Sequence, residues 1–218
     1  MSVKKITAAL VMAFTLAAEQ TPLPGLRVEP VSGGTNFYVK NTAAQPLIAF
    51  ILELDGYPGS SYVLVQDESS AVPIAPGDER RIQTSNMTPG AVPDYMKLQA
   101  AIYADGTSAG QPEKVAQLIE HRRAMLETTR GLIERIENTR KAAKATSTDK
   151  AALAAELRQW SGSIPEPARR ERTRPTGINQ IDSKNLIERV AKQLESSSLD
   201  DVLAGLRASE RALAAGKS

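Results

Sequence analysis

The 218-residue sequence contains no cysteine. That excludes disulfides, thiolate zinc sites, iron–sulfur ligation and a cysteine nucleophile. It contains one histidine, His121, so no multi-histidine metal site can form. Aromatic residues make up only 4% of the chain, and Trp160 is the single tryptophan. So few rings with so much alanine point to a substantial helical part and a modest core. No apolar run reaches the roughly 20 residues that a helix needs to span a bilayer. No G-x-S-x-G elbow or calcium-loop spacing occurs. Ser32-Gly33-Gly34-Thr35 lacks the lysine and helix of a phosphate loop and reads as a turn. No cofactor, metal site or catalytic residue is therefore expected. What is present is ordinary for a folded chain of one to two domains: 41% hydrophobic and 24% charged residues.

The first 18 residues read as an address. Lys4 and Lys5 precede an apolar stretch from Ile6 to Ala18, interrupted only by Thr7 and Thr15. A short apolar run behind lysines, ending in small residues, predicts a secretory signal peptide cut after Ala17 or Ala18. Without a cysteine after the cut, a lipidated N-terminus is excluded. Export to the periplasm or the extracellular space is the expectation.

The charge is unevenly spread. Residues 19–111 hold 10 acidic and 5 basic side chains, whereas residues 112–218 hold 15 acidic and 20 basic ones. Such asymmetry predicts two different surfaces, and it could draw the two halves together.

Residues 25–107 read as short strands between Pro, Gly, Ser and Asn turns. Phe37 and Val39 alternate with polar neighbours. Leu47 to Leu54 is almost continuously apolar, which predicts a central strand covered on both faces. Leu26–Val28, Tyr62–Val65, Val72–Ile74, Arg80–Thr84 and Leu98–Tyr103 complete about seven strands, the number expected of a β-sandwich. The order Phe37-Tyr38-Val39-Lys40-Asn41, Pro46-Leu47, Ile74-Ala75-Pro76-Gly77-Asp78-Glu79-Arg80 and Ala101-Ile102-Tyr103-Ala104-Asp105-Gly106-Thr107 resembles the immunoglobulin-like sandwiches of secreted bacterial proteins. The whole chain is similar to secreted proteins of soil bacteria that join such a sandwich to a helical tail. The resemblance covers about 80 residues and rests on turn chemistry. The Cys…Trp…Cys spacing of antibody domains is absent. The resemblance implies a fold and no activity.

From Pro112 the pattern changes to helix. Proline suits the first helical position. About 30 residues follow without another proline, with apolar pairs at Leu118-Ile119, Met125-Leu126 and Leu132-Ile133. This predicts an amphipathic helix about 45 Å long. Arg122 and Thr129 fall between the pairs and spoil a coiled-coil seam. The helix either packs on its own chain or pairs with a partner, including a second copy. Lys141 to Lys150 reads as a turn. Leu153, Leu157 and Trp160 mark a second helix, and the proline-bearing stretch 162–177 a loop. A third helix is predicted from Asp182-Ser183. Ser198-Leu199-Asp200-Asp201 resembles a capping box that opens a fourth.

Few residues suggest chemistry. His121 lies beside the apolar stripe with no carboxylate at i ± 4 and reads as a surface or boundary residue. The adjacent pairs Asp67-Glu68, Asp78-Glu79 and Asp200-Asp201 do not converge locally. Asp55 and Asp105 read as turn residues whose convergence at loop tips stays open. Asn86-Met87-Thr88 fits a glycosylation triplet of little consequence in a bacterium. The most distinctive feature is a run of arginines, Arg169, Arg170, Arg172 and Arg174, which predicts either a solvated loop paired with Glu166 and Glu171 or an anion or partner site. No aromatic interleaves them, so nucleic acid is not expected.

The expected protein is α+β. A signal peptide (1–18) precedes an immunoglobulin-like sandwich (19–111) and a helical hairpin or bundle (112–218). The expected role is a non-enzymatic, exported interaction or structural protein. A carboxylate-dependent hydrolase of envelope or extracellular polymers, and an anionic-surface binder using the arginine loop, are the alternatives.

Overall fold

The computed structural model describes residues 21–31, 34–54, 62–70, 72–83, 93–142 and 147–215. The segment 1–18 predicted as a signal peptide, Asp55 and the Asn86-Met87-Thr88 triplet lie outside them. The described chain is mixed α+β, with two antiparallel sheets and four helices. Strands β1 (Gly25–Val31), β2 (Gly34–Lys40) and β5 (Glu79–Gln83) form a sheet in the order β1-β2-β5. Strands β3 (Leu47–Leu54), β4 (Tyr62–Asp67), β6 (Met96–Tyr103) and β7 (Ser108–Gly110) form the other, in the order β4-β3-β6-β7.

Alternation along the strands dictates how these sheets meet. Phe37, Val39 and Ile82 of the smaller sheet share one apolar layer with Phe50, Leu52, Leu98 and Tyr103 of the larger. The other face of β3 is buried as well, because Ile48, Ala49 and Ile51 pack under Leu118 of the first helix. Ile48 and Ala49 reach the same side because the pairing of β3 with β6 slips between Leu47 and Ala49. The uninterrupted apolar character of Leu47–Leu54 thus reflects cover on both faces. Tyr103 is fully buried and its hydroxyl donates to the carbonyl of Pro22 at 2.6 Å, tying the segment before β1 to the core. Burial pushes this phenol up to about 12.

Two strand expectations need correction. Val72–Ile74 is not a strand. Ile74 makes an isolated bridge to Leu47, and Val72 is 77% exposed. The strand missed instead is β7, whose three small residues carry no apolar alternation. Asn41 explains why the Ile74 segment is held without a ladder. Its buried amide donates to the carbonyls of Gln45 at 2.8 Å and Ile74 at 2.9 Å, and its Oδ1 accepts from the Ala43 amide at 3.0 Å. Asn41→Ala removes the side-chain partner of the Gln45 carbonyl and the Ala43 amide, and leaves the Ile74 carbonyl with the Leu47 amide alone. The expected loss, read by urea unfolding, is about 2–3 kcal/mol.

Helix α1 (Pro112–Ala142) starts at the anticipated proline. Its first half lies on the larger sheet through Val115 and Leu118, and Lys114 pairs with Glu53 of β3 at 2.7 Å. Its second half joins α2 (Ser147–Ser163), α3 (Pro175–Ser196) and α4 (Leu199–Ala214) in a second apolar core. Leu132 and Ile136 meet Leu157, Ile187, Val190, Leu194 and Leu203 there. Ser198 caps α4 as its spacing suggested, accepting from the Asp201 amide at 3.1 Å.

Helix α3 begins seven residues earlier than the pattern at Asp182-Ser183 implied. Pro175 opens the helix instead of belonging to the loop. Gly177 allows it, because a Cβ there would lie 2.0 Å from the carbonyl oxygen of Glu171. Helix α2 likewise starts at Ser147, inside the stretch read as a turn.

Candidate functional site

Spacing on α3 places Asp182, Asn185, Leu186 and Arg189 on one face, at i, i+3, i+4 and i+7. That face meets His121, Met125 and Thr129 of α1, Ser209 and Leu213 of α4, and the end of β4. Between them lies a cavity of about 300 Å³. It shares Ser69, Leu186, Arg189 and Ser209 with a groove of about 590 Å³ that continues between α3 and α4 over Val190, Val202 and Leu206. The two helices touch each other little, which leaves this groove open.

His121 is not a surface residue. It is only 3% exposed and faces α3, where its Nδ1 lies 2.9 Å from Oδ1 of Asn179 and 3.9 Å from Oδ2 of Asp182. With an amide oxygen opposite it, Nδ1 is the donor of this pair. Nε2 has no hydrogen-bond partner among the described residues. Asp182 also lines the cavity, and its carboxyl forms no hydrogen bond there. Burial pushes it above the ordinary carboxylate range, against the downward pull of His121. The side chains of Asn185, Arg189 and Ser209 form no hydrogen bond or ion pair among the described residues.

The second carboxylate at the cavity is committed. Asp67 Oδ2 accepts from Arg122 at 2.7 Å, and its Oδ1 accepts from the Ser69 amide at 2.8 Å. Both side chains of the Arg122–Asp67 pair are at least nine-tenths buried. The same guanidinium donates to the carbonyls of Ala212 at 2.8 Å and of Leu213 and Ala215 at 3.3 Å. Arg122 therefore fastens α1, the end of β4 and the C-terminal end of α4 in one knot. Thr129, the other residue that interrupts the seam, is 1% exposed and donates to the Met125 carbonyl at 2.8 Å.

The remaining acidic candidates are engaged separately. Glu68 is buried and pairs with Arg80. Glu79 pairs with Arg27 at 3.0 Å, Asp200 with Arg140 at 3.0 Å, and Asp201 accepts from Ser198 at 2.6 Å. Asp105 accepts from the amide and hydroxyl of Thr107, which hold its carboxyl below the usual range. Among the described residues no group of three or more His, Cys, Asp or Glu side chains could hold a metal ion.

The arginine loop splits in two. Arg172 pairs with Glu166 at 3.1 Å, and Arg174 with Glu171 at 2.7 Å. Arg169 and Arg170 are exposed and have no ion pair among the described residues. The loop and the cavity share no lining residue. No protein-family model, no curated protein and no solved structure matches the chain.

Proposed function

We propose that the protein is an exported, non-enzymatic binding module whose working surface is the cavity and groove between α3 and α4. In this reading the two sheets form an immunoglobulin-like sandwich and the helices a small bundle built onto it. One observation carries the proposal. Asn185 and Arg189 of α3 and Ser209 of α4 line the cavity without a hydrogen bond or ion pair among the described residues, and they continue into an apolar groove. Asn185 and Arg189 are exposed at the mouth of the cavity, within reach of a ligand. A few polar groups convergent on an apolar cleft have the composition of a ligand site.

The partner surface belongs here and not on the long helix. Leu118, Leu126, Leu132 and Ile136 of α1 are all buried within the chain, and of its apolar pairs only Ile119 is largely exposed. A hydrolase mechanism through paired carboxylates has less support, because Asp67 is fixed by Arg122 and leaves Asp182 alone. Contact with an anionic surface is the second reading, favoured by the two arginines without ion pairs, Arg169 and Arg170.

The test has two arms. The full chain is expressed in a bacterium that secretes proteins, and the product is weighed by mass spectrometry. A periplasmic or secreted product beginning at Ala18 or Glu19 is expected; an intact cytoplasmic chain would overturn export. That product then serves as bait in an envelope extract beside Gly205→Phe. Gly205 lines the groove, and a Cβ there meets nothing within 4 Å, so the ring fills the groove without displacing the helix. Loss of the captured partner in this variant is expected. Equal capture by both chains would remove the groove from the reading.

A further inference from the structure

We infer that the cavity binds a short free peptide, about three residues long, with its ammonium group at Asp182 and its carboxylate at Arg189. The inference rests on the binding role proposed above and names the ligand class. It follows from the order of groups along α3. A carboxyl, an amide and a cation stand at Asp182, Asn185 and Arg189 on the cavity face. Asp182 faces only His121, at 3.9 Å, and Asn185 and Arg189 are exposed with no side-chain partner among the described residues.

The spacing sets the ligand's length. Residues i and i+7 are about 10 Å apart along a helix. Three extended residues span about the same distance. A single amino acid is too short to reach both charges. Its ammonium and carboxylate would satisfy one anchor and leave the other unpaired.

Chemistry sets the direction. In its ionised form Asp182 only accepts, which suits the ammonium end. Arg189 presents a donor fork that matches a carboxylate. Asn185 stands between them with a donor and an acceptor, the two functions needed to read a peptide bond. Leu186 on the same face and Val190 in the adjoining groove offer apolar contact to the peptide's side chains.

The experiment is calorimetric titration of the purified exported chain with trialanine, N-acetyl-trialanine and trialanine amide, beside free alanine. Trialanine should bind one to one. Blocking either end should weaken it by about tenfold or more, since each block removes one charge-assisted pair. Asp182→Asn should erase the penalty for acetylation and keep that for amidation. Arg189→Gln should do the reverse. This crossed pattern cannot come from misfolding, and circular dichroism melting confirms that each variant folds. No heat at about 10 mM trialanine, a concentration that would reveal even millimolar affinity, overturns the inference. So does equal binding of the blocked peptides. If trialanine fails while Gly205→Phe still loses an envelope partner, the binding role stands and only the peptide assignment falls.

Discussion

Replacing Arg122 by Ala will destabilise the protein by about 3–5 kcal/mol, the loss typical of removing one partner from a buried ion pair. The reason is in its contacts. Asp67 would stay buried without its cation, and the last carbonyls of α4 would lose their donor. Those carbonyls sit at the negative end of the helix dipole, where a guanidinium is well placed. Urea unfolding followed by Trp160 fluorescence measures the loss. A change under about 1 kcal/mol would show that water replaces the guanidinium without cost, and the knot would then be ornamental. The double variant Arg122→Met with Asp67→Leu separates charge from packing. It should recover much of the stability, because an apolar pair of similar volume often matches a buried salt bridge.

Gly110→Ala should cost about 3 kcal/mol. Two penalties add at this position. Its φ is 109°, in the region that L side chains rarely adopt, and its Cβ would lie 2.2 Å from the Gln99 carbonyl oxygen. That oxygen belongs to a backbone strand and also accepts from the Gln111 amide, so it cannot swing aside. Backbone strain contributes about 1–3 kcal/mol, and forced displacement of a packed neighbour a similar amount. Gly77→Ala is the control. Gly77 has a φ of 83° but nothing within 4 Å of a Cβ, so only the backbone penalty remains, about 1 kcal/mol. Parallel denaturation curves of the two variants give the difference directly. Equal losses would mean that the contact with β6 yields easily.

Part of this fold is readable in the sequence, and part is not. Strong periodicity carried β2, β3, β6 and α1 into the right places, because burial on one face leaves a repeat that any reader can count. Pro112 and Ser198 marked helix starts through local backbone chemistry. Pro175 carried the same signal, yet in a proline-bearing stretch it resembled a loop residue. What places it at a helix start is Gly177 against Glu171, a contact made in space. β7 is too short and too small-sided to leave a pattern.

The site was less legible than the fold. Arg122 and Thr129 looked like defects in a seam. Arg122 answers Asp67 and the end of α4, and Thr129 is buried with its hydroxyl turned back onto the Met125 carbonyl of its own helix. His121 was read from its helical neighbours alone, and its environment comes from Asn179 and Asp182, more than 55 residues away. Convergence of α1, α3 and α4 cannot be counted along one chain. The arginine run, conspicuous on the page, proved half paired within its own loop.

The Arg122 knot bears on time as well as on energy. It joins groups 55 and 90 residues apart in the chain, across strand, helix and helix end. Contacts of that reach form only after the local elements are in place. An interaction absent from the folding transition state scarcely changes how fast a protein folds, but it slows unfolding. The guanidinium is thus expected to act as a late clasp with its main effect on the lifetime of the native state, and a φ-value near zero for Arg122→Ala would check it. In the exported role proposed above, lifetime is the form of stability that matters.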